Sequence, residues 1–390
     1  MSIFSKPKEK DELMLVFNIG SSSVGGALFF IQKSGTPKII FSVTEPIPLE
    51  EKTDIERLQS LTIQTLEIVS HKVYQAHLGA PSQTFCVLSS PWYASQTRMI
   101  NLKKNTPFVF TAKLADELVQ KEIKIFKEEN LAKYGPLARV IELKNIKTML
   151  NGYETGNPLN QKAQELQMTV FISVSGEQFL KKVEDTISQH FHFKLIKFSS
   201  LAMASFAVLR DIHPEQESFI LVDIGGEVTD IFMIKKSILR ESISFPLGRN
   251  FLTRGVASGL GATLDEANSI ISLLKDGHAE DSLAKKIMPI TGQLKETWLK
   301  SFQESLSNIS GDISIPSVIY ITIDKEIADL FSETIKTEQF NQYSLTESKF
   351  EVIFLDTQML HGLAVFEESV VRDSGLVVDS IYISRFLANR

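Results

Sequence analysis

Three apolar runs open the chain: Leu13 to Gly20, Val24 to Ile31 and Pro37 to Ile47. Each is short and bounded by glycine, serine or proline, the pattern of buried strands in a meander. From Asp54 to Gln75 the period changes. Ile55, Leu58, Leu61, Leu66, Ile68 and Val69 recur at i, i+3 and i+4 spacings, which predicts an amphipathic helix. Gln83 to Ser90 reads as a further buried strand.

From Pro91 the texture turns more polar. Residues 93–167 carry more Lys, Glu and Asn, a helical pattern at Ala112 to Glu129 and short strands, of which ARVIELKNIKTML is the clearest. This reads as a small α+β insertion. Buried-strand texture returns at Met168 to Ser175. A helix is expected from Glu177 to His190, then a strand at KLIKFSS and an alanine-rich helix at Leu201 to Leu209.

The next stretch repeats the beginning. VFNIGSSSVGGALFFI (Val16 to Ile31) and LVDIGGEVTDIFMIKK (Leu221 to Lys236) share the order strand, glycine turn, strand, and each leads to a third strand, Ile238 to Pro246 in the second case. Helices are expected at Thr263 to Leu274 and Gln293 to Leu306, and strands at Ser317 to Asp324 and Phe350 to Leu355. A repeat at this scale is a topological unit. Two such units predict two α/β lobes facing a cleft, with glycine turns that let backbone N–H groups approach a phosphate.

Composition narrows the classes. The 390 residues suffice for several domains, and 43% apolar content with mean hydropathy near zero describes a globular chain. Net charge is −6 with no basic block, so no nucleic-acid partner is expected. The single cysteine, Cys86, excludes an internal disulfide and a cysteine metal cluster, and fits a reducing cytoplasm. No apolar run approaches the ~18 residues of a membrane span. A cytoplasmic protein is expected, reaching the inner face of the cell membrane peripherally or through a partner. MSIFSKPKEK at the start reads as a frayed end, with membrane contact as the sharper alternative. His190 and His192 lack a nearby third ligand and read as packed or solvated side chains.

NIGSSSVGGAL and DIGGEVTDI resemble the two phosphate loops of the actin, heat-shock-chaperone and sugar-kinase superfamily. The order of NGYETGNPL, SLAMASFAVL, DIGGEVTDI and SISFPLGRNFLTRGVASGLGATLDEA resembles the bacterial FtsA/PilM branch, over roughly residues 13–275. The resemblance implies an actin-like two-lobed ATPase fold with an inserted SHS2-like α+β subdomain. It divides the chain into a first lobe (1–92, 168–210 and a returning 366–390), the insertion (93–167), and a second lobe (211–261 and 313–365) with a short subdomain (262–312). The end, Gly375 to Arg390, reads as a last core element of the first lobe, or as a weak amphipathic helix.

By the same resemblance, nucleotide would face Asn18, Gly20, Ser21, Ser22, Asp223, Gly225, Gly226, Glu227, Thr229, Asp230 and Thr322, with ATP and Mg2+ as the cofactors such a site takes. Several positions depart from the family pattern. Asn18 stands where an Asp is usual, and an amide lacks the charge a hard cation prefers. Gly25 stands where a phosphate-facing lysine is common. Glu227 replaces a glycine. A positive φ there would cost ~1–2 kcal/mol, and a carboxylate facing phosphate would add roughly 1–4 kcal/mol of repulsion, unless the side chain points away. Ser200 occupies the water-orienting position, Asn268 and Ile271 the adenosine-clasping positions, and Ile323 with Asp324 the places of two glycines after Thr322. Asp223 and Asp230 are either outer-shell Mg2+ ligands or turn caps.

These losses lead to the expectation of a non-catalytic scaffold, with no catalytic residue and no metal ligand assigned. The resemblance implies protein partners and self-association. An FtsA-like role in cell division is the leading expectation, a PilM-like role in type IV pilus assembly the alternative, and an ATP-binding ATPase or kinase a third.

Overall fold

A computed structural model describes residues 12–52, 54–192, 195–275, 281–310, 314–323, 327–337 and 350–388. The basic start of the chain and Asp324 lie outside these residues. The chain runs β1 (Leu13–Ile19), β2 (Ser23–Ile31), β3 (Pro37–Pro46), α1 (Ile55–Gln75), β4 (Gln83–Leu88), β5 (Ala94–Val109), α2 (Ala112–Glu129), α3 (Leu131–Tyr134), β6 (Ala138–Leu150), β7 (Tyr153–Glu154) and β8 (Lys162–Gly176). It continues α4 (Glu177–Ser188), β9 (Ile196–Ser200), α5 (Leu201–Ile212), β10 (Phe219–Ile224), β11 (Thr229–Lys235), β12 (Ile238–Phe245), α6 (Arg249–Leu260), α7 (Leu264–Lys275) and α8 (Asp281–Ser310). It closes with β13 (Val318–Thr322), α9 (Ala328–Thr337), β14 (Glu351–Phe354), β15 (Val365–Phe366) and α10 (Ser374–Tyr382), which runs into a π-helical turn, Ile383–Leu387.

The internal repeat is topological. One sheet has the order β15-β3-β2-β1-β4-β9, the other β12-β11-β10-β13-β14. In each, an antiparallel meander joins a parallel pair at the same strand. The registers coincide: Asn18 pairs with Gly25 and Asp223 with Asp230. The architecture is the actin-like one, two α/β lobes meeting at their glycine turns.

The insertion forms a third sheet, β5-β8-β6-β7, covered on one face by Val119, Ile123 and Phe126 of α2. The segment at 168–175, expected in the first lobe, belongs instead to this sheet as the inner half of β8. Its unbroken apolar texture arises because it is buried on both faces, not because it sits in a lobe sheet.

Helix α1 starts where expected: the Asp54 side chain accepts the Arg57 N–H at 2.9 Å. Helix α8 runs through Pro289 rather than starting at Gln293. Buried Ile287 and partly buried Ile290 pack its first turns, and Ile290 lies against Gly259 of α6, which offsets the missing N–H. Helix α10 is buried in the first lobe's core through Leu376, Val377, Val378 and Ile381, and β15 pairs with β3. Among the described residues no helix is long and apolar enough to cross a membrane.

Candidate functional site

The two glycine turns meet face to face. A Cβ at Gly226 would lie 2.6 Å from the Ser21 carbonyl oxygen and 2.8 Å from the Ser22 nitrogen. The Glu227 N–H donates to Ser21 Oγ at 3.1 Å. On the other side, a Cβ at Gly248 would lie 2.4 Å from the carbonyl oxygens of Gly225 and Gly226. Those two carbonyls accept the Arg249 and Asn250 N–H groups at the start of α6, both at 2.9 Å. The second turn is thus held by α6 and pressed on the first.

What remains of the cleft is a cavity of about 140 Å³. Of the positions expected to face nucleotide, Asn18, Gly20, Ser21, Ser22, Asp223, Gly225 and Thr322 line it. Gly226, Glu227, Thr229 and Asp230 do not. Thr229 is buried in the second lobe, where its Oγ1 donates to the Leu247 carbonyl at 2.7 Å and accepts from Trp298 Nε1 at 3.2 Å. Asp230 accepts from Ser90 Oγ at 2.9 Å and lines a separate cavity beside Tyr93 and Lys133.

Glu227 points away from the cleft. Its carboxylate takes a two-point pair from Arg254, at 2.7 and 2.8 Å, and a hydrogen bond from Asn250 Nδ2 at 2.7 Å. Its φ is not in the left-handed region. Neither the backbone strain nor the phosphate repulsion anticipated for this residue applies, because its charge is matched on the far side of the turn.

Asn18, Gly25, Ser200, Asn268 and Ile271 are engaged by neighbouring elements. Asn18 Nδ2 donates at 2.7 Å to Asp379 of α10, a wholly buried carboxylate. A side chain at Gly25 would meet Leu376 at 3.2 Å, so α10 occupies the way a lysine would take. Ser200 does not face the cleft. It caps α5, accepting the Met203 N–H at 3.3 Å, and donates to Glu142 of the insertion at 2.8 Å. Ile271 is a core residue of the second lobe, and Asn268 accepts from Thr253 at 2.9 Å. Ile323 lines the cavity.

Burial sets the electrostatics. Burial first, then neighbouring Asp230, push the Asp223 carboxyl up to about 7, against the hydrogen bond from Thr322 Oγ1. Asp379 is raised well above the usual carboxylate range by burial, against the Asn18 amide. Glu142 is raised by burial, although Tyr382 and Ser200 donate to it. Asp379 and Glu142 were not singled out from sequence. The signal was there: each is an acid inside an apolar run, LVVDSIY and RVIEL.

A larger cavity, about 570 Å³, opens between the first lobe and the insertion. Trp92 stacks on Phe179 at its base, ring centroids 4.4 Å apart, and Ile55 and Leu137 stand exposed at its rim.

Among solved structures, the chain is similar to a PilM-PilN type IV pilus biogenesis complex, at 14% identity and TM-score 0.59, over 97% of this chain and 98% of that one. It is also similar to a Bacteroides thetaiotaomicron protein described as having an actin-like ATPase fold and unknown function, at 8% identity and TM-score 0.41, over 92% and 98% of the two chains. A third is the ethanolamine utilization protein EutJ from Carboxydothermus hydrogenoformans, at 12% identity and TM-score 0.39, over 98% and 92%. No protein-family model matches the sequence, and no curated protein sequence matches it.

Proposed function

We propose that this chain is a PilM-like, non-catalytic actin-fold scaffold of a type IV pilus or secretion platform, working through protein contacts and not through ATP. The observation that carries the reading is the seating of Gly226 on the Ser21 backbone, which fills the space between the two turns. Ligand pockets span roughly 300–1,000 Å³, and the remaining cavity is about 140 Å³. The residues there do not fit a nucleoside triphosphate with its metal: the Asn18 amide is engaged by Asp379, and Leu376 covers Gly25. The apolar cavity beside Trp92 supplies a place for a protein segment.

The whole-chain likeness to the pilus complex favours the pilus role, whereas the cell-division role expected first rests on motif order alone. The two separate on deletion of the gene in its host. Loss of surface pili with normal cell length supports the proposal; filamentous cells that keep their pili would sink it. In vitro, calorimetric titration with Mg-ATP to about 1 mM should show no binding heat, and saturation in the micromolar range would overturn the nucleotide-free reading. The docking place has its own test. Leu137→Asp, at a side chain 68% exposed, should leave the melting temperature within about 2 °C and abolish pilus assembly.

A further inference from the structure

Arg254 of α6 belongs to the second lobe, but its guanidinium serves both. Nη1 and Nη2 grip the Glu227 carboxylate at 2.7 and 2.8 Å. Nε donates at 2.8 Å to the backbone carbonyl of Glu50, in the first-lobe segment between β3 and α1. The Glu50 side chain in turn accepts from Arg57 Nε of α1 at 2.9 Å. The chain of contacts therefore runs from the second glycine turn, through α6, to the first lobe's longest helix.

We infer that the Glu227–Arg254–Glu50 array is a latch that holds the two lobes closed from outside the cleft, in place of a ligand bound inside it. Three features make it a latch and not a surface ion pair. The first is burial: the Glu227 and Arg254 side chains are 9% and 18% exposed, and the space around them is about 20 Å³, room for roughly one water. Such a pair is little screened by salt. The second is geometry. A planar fork satisfies a carboxylate with two donors while a third points elsewhere, which an ammonium cannot reproduce from one position. The third is place. Glu227 follows Gly226, the residue seated on Ser21, and its own N–H crosses to Ser21 Oγ. Opening the cleft breaks that bond and the Arg254–Glu50 bond together, so the carboxylate and the guanidinium report on one motion.

The latch closes the lobes whichever assembly the chain serves, though it rests on the reading that closure needs nothing bound in the cleft. Amide hydrogen exchange of the full chain tests it, comparing wild type with Arg254→Ala and Arg254→Lys. Both variants should raise exchange by about tenfold or more in three separated segments: 20–23, 225–227 and 47–52. Exchange across the inserted sheet should stay as in wild type. A rise confined to α6, with 20–23 and 47–52 unchanged, would show that Arg254 braces only its own lobe and would overturn the latch. If Arg254→Ala does not fold, Arg254→Lys, which keeps the charge and most of the stem, decides by the same segments. Added Mg-ATP, about 1 mM, forms a separate arm. Slower exchange of 20–23 and 225–227 in wild type on its addition would refute the nucleotide-free reading while leaving the latch result to stand on its own.

Discussion

Glu227 illustrates how one residue's meaning depends on which side of a turn it faces. Its identity suggests a carboxylate set against phosphate; its partners make it the anchor of α6. Replacing it with glycine, Glu227→Gly, should lower stability by about 3 kcal/mol in urea unfolding, because the two terminal nitrogens of Arg254 lose their carboxylate in a poorly hydrated place. The same variant should gain no affinity for Mg-ATP, since Gly226 would still rest on Ser21. Asp223 behaves differently. Its carboxyl titrates at about 7 instead of its ordinary 3.8. A folded-state value above the unfolded one means that the native protein holds the proton more tightly, so the contribution is complete below about pH 4 and is lost as pH rises to about 7. At 1.36 kcal/mol per unit, the upper bound is roughly 4 kcal/mol. Asp223→Asn should flatten the fall in stability between pH 4 and 8, and should make the variant more stable than wild type at pH 8. A variant whose melting curves track wild type across that range would refute this account.

At the scale of elements, the repeated strand–turn–strand is the part most open to sequence reading. The alternation of apolar runs with glycine turns placed β1, β2, β10 and β11 where they lie, and their matching registers follow from turns of equal length, Ile19 pairing with Val24 and Ile224 with Thr229. The contact between the turns was not readable, because a glycine in a turn looks the same whether it leaves room for a phosphate or for another backbone. Here it leaves room for a backbone. Gly226→Ala should therefore cost about 2–4 kcal/mol, as an added methyl forces the lobes apart. The steric conflict is between lobes, so a Ser21→Gly background, which still has the Ser21 carbonyl's counterpart, should not relieve it. Helix α10 was legible as a core element from its apolar run. That it shields Gly25 and receives the Asn18 amide was not, since these contacts join residues at opposite ends of the chain.

For the whole molecule, polar side-chain contacts join the insertion to both lobes. Glu142 of the insertion accepts from the Ser200 N–H and hydroxyl at the start of α5 and from the Tyr382 hydroxyl at 2.6 Å, so insertion, first lobe and chain end share one carboxylate. Thr97 Oγ1 donates to the Leu239 carbonyl at 2.6 Å, and Ser242 Oγ to that of Ser95 at 2.8 Å, tying β5 to β12 of the second lobe. Glu142→Ala would leave the hydroxyls and N–H groups around it unsatisfied. It should cost about 3 kcal/mol and broaden thermal unfolding as the insertion separates from the lobe; a sharp transition at the wild-type temperature would show that the bodies are joined by packing alone.

Sequence by itself determined the elements, the duplication, the presence of an inserted α+β unit and the list of positions that depart from the phosphate-loop pattern the chain resembles. Each of these depends on short-range period or on residue type, and both survive in one dimension. Tertiary structure alone decided where those alterations point. Asn18 turns to Asp379, Gly25 lies under Leu376, Ser200 caps a helix over Glu142, and Glu227 leaves the cleft for Arg254. The reason is physical: a side chain's charge or hydroxyl acts on whatever folding brings within about 3 Å of it, and here each of those partners is supplied by another element, from 27 residues away for Arg254 to 361 for Asp379.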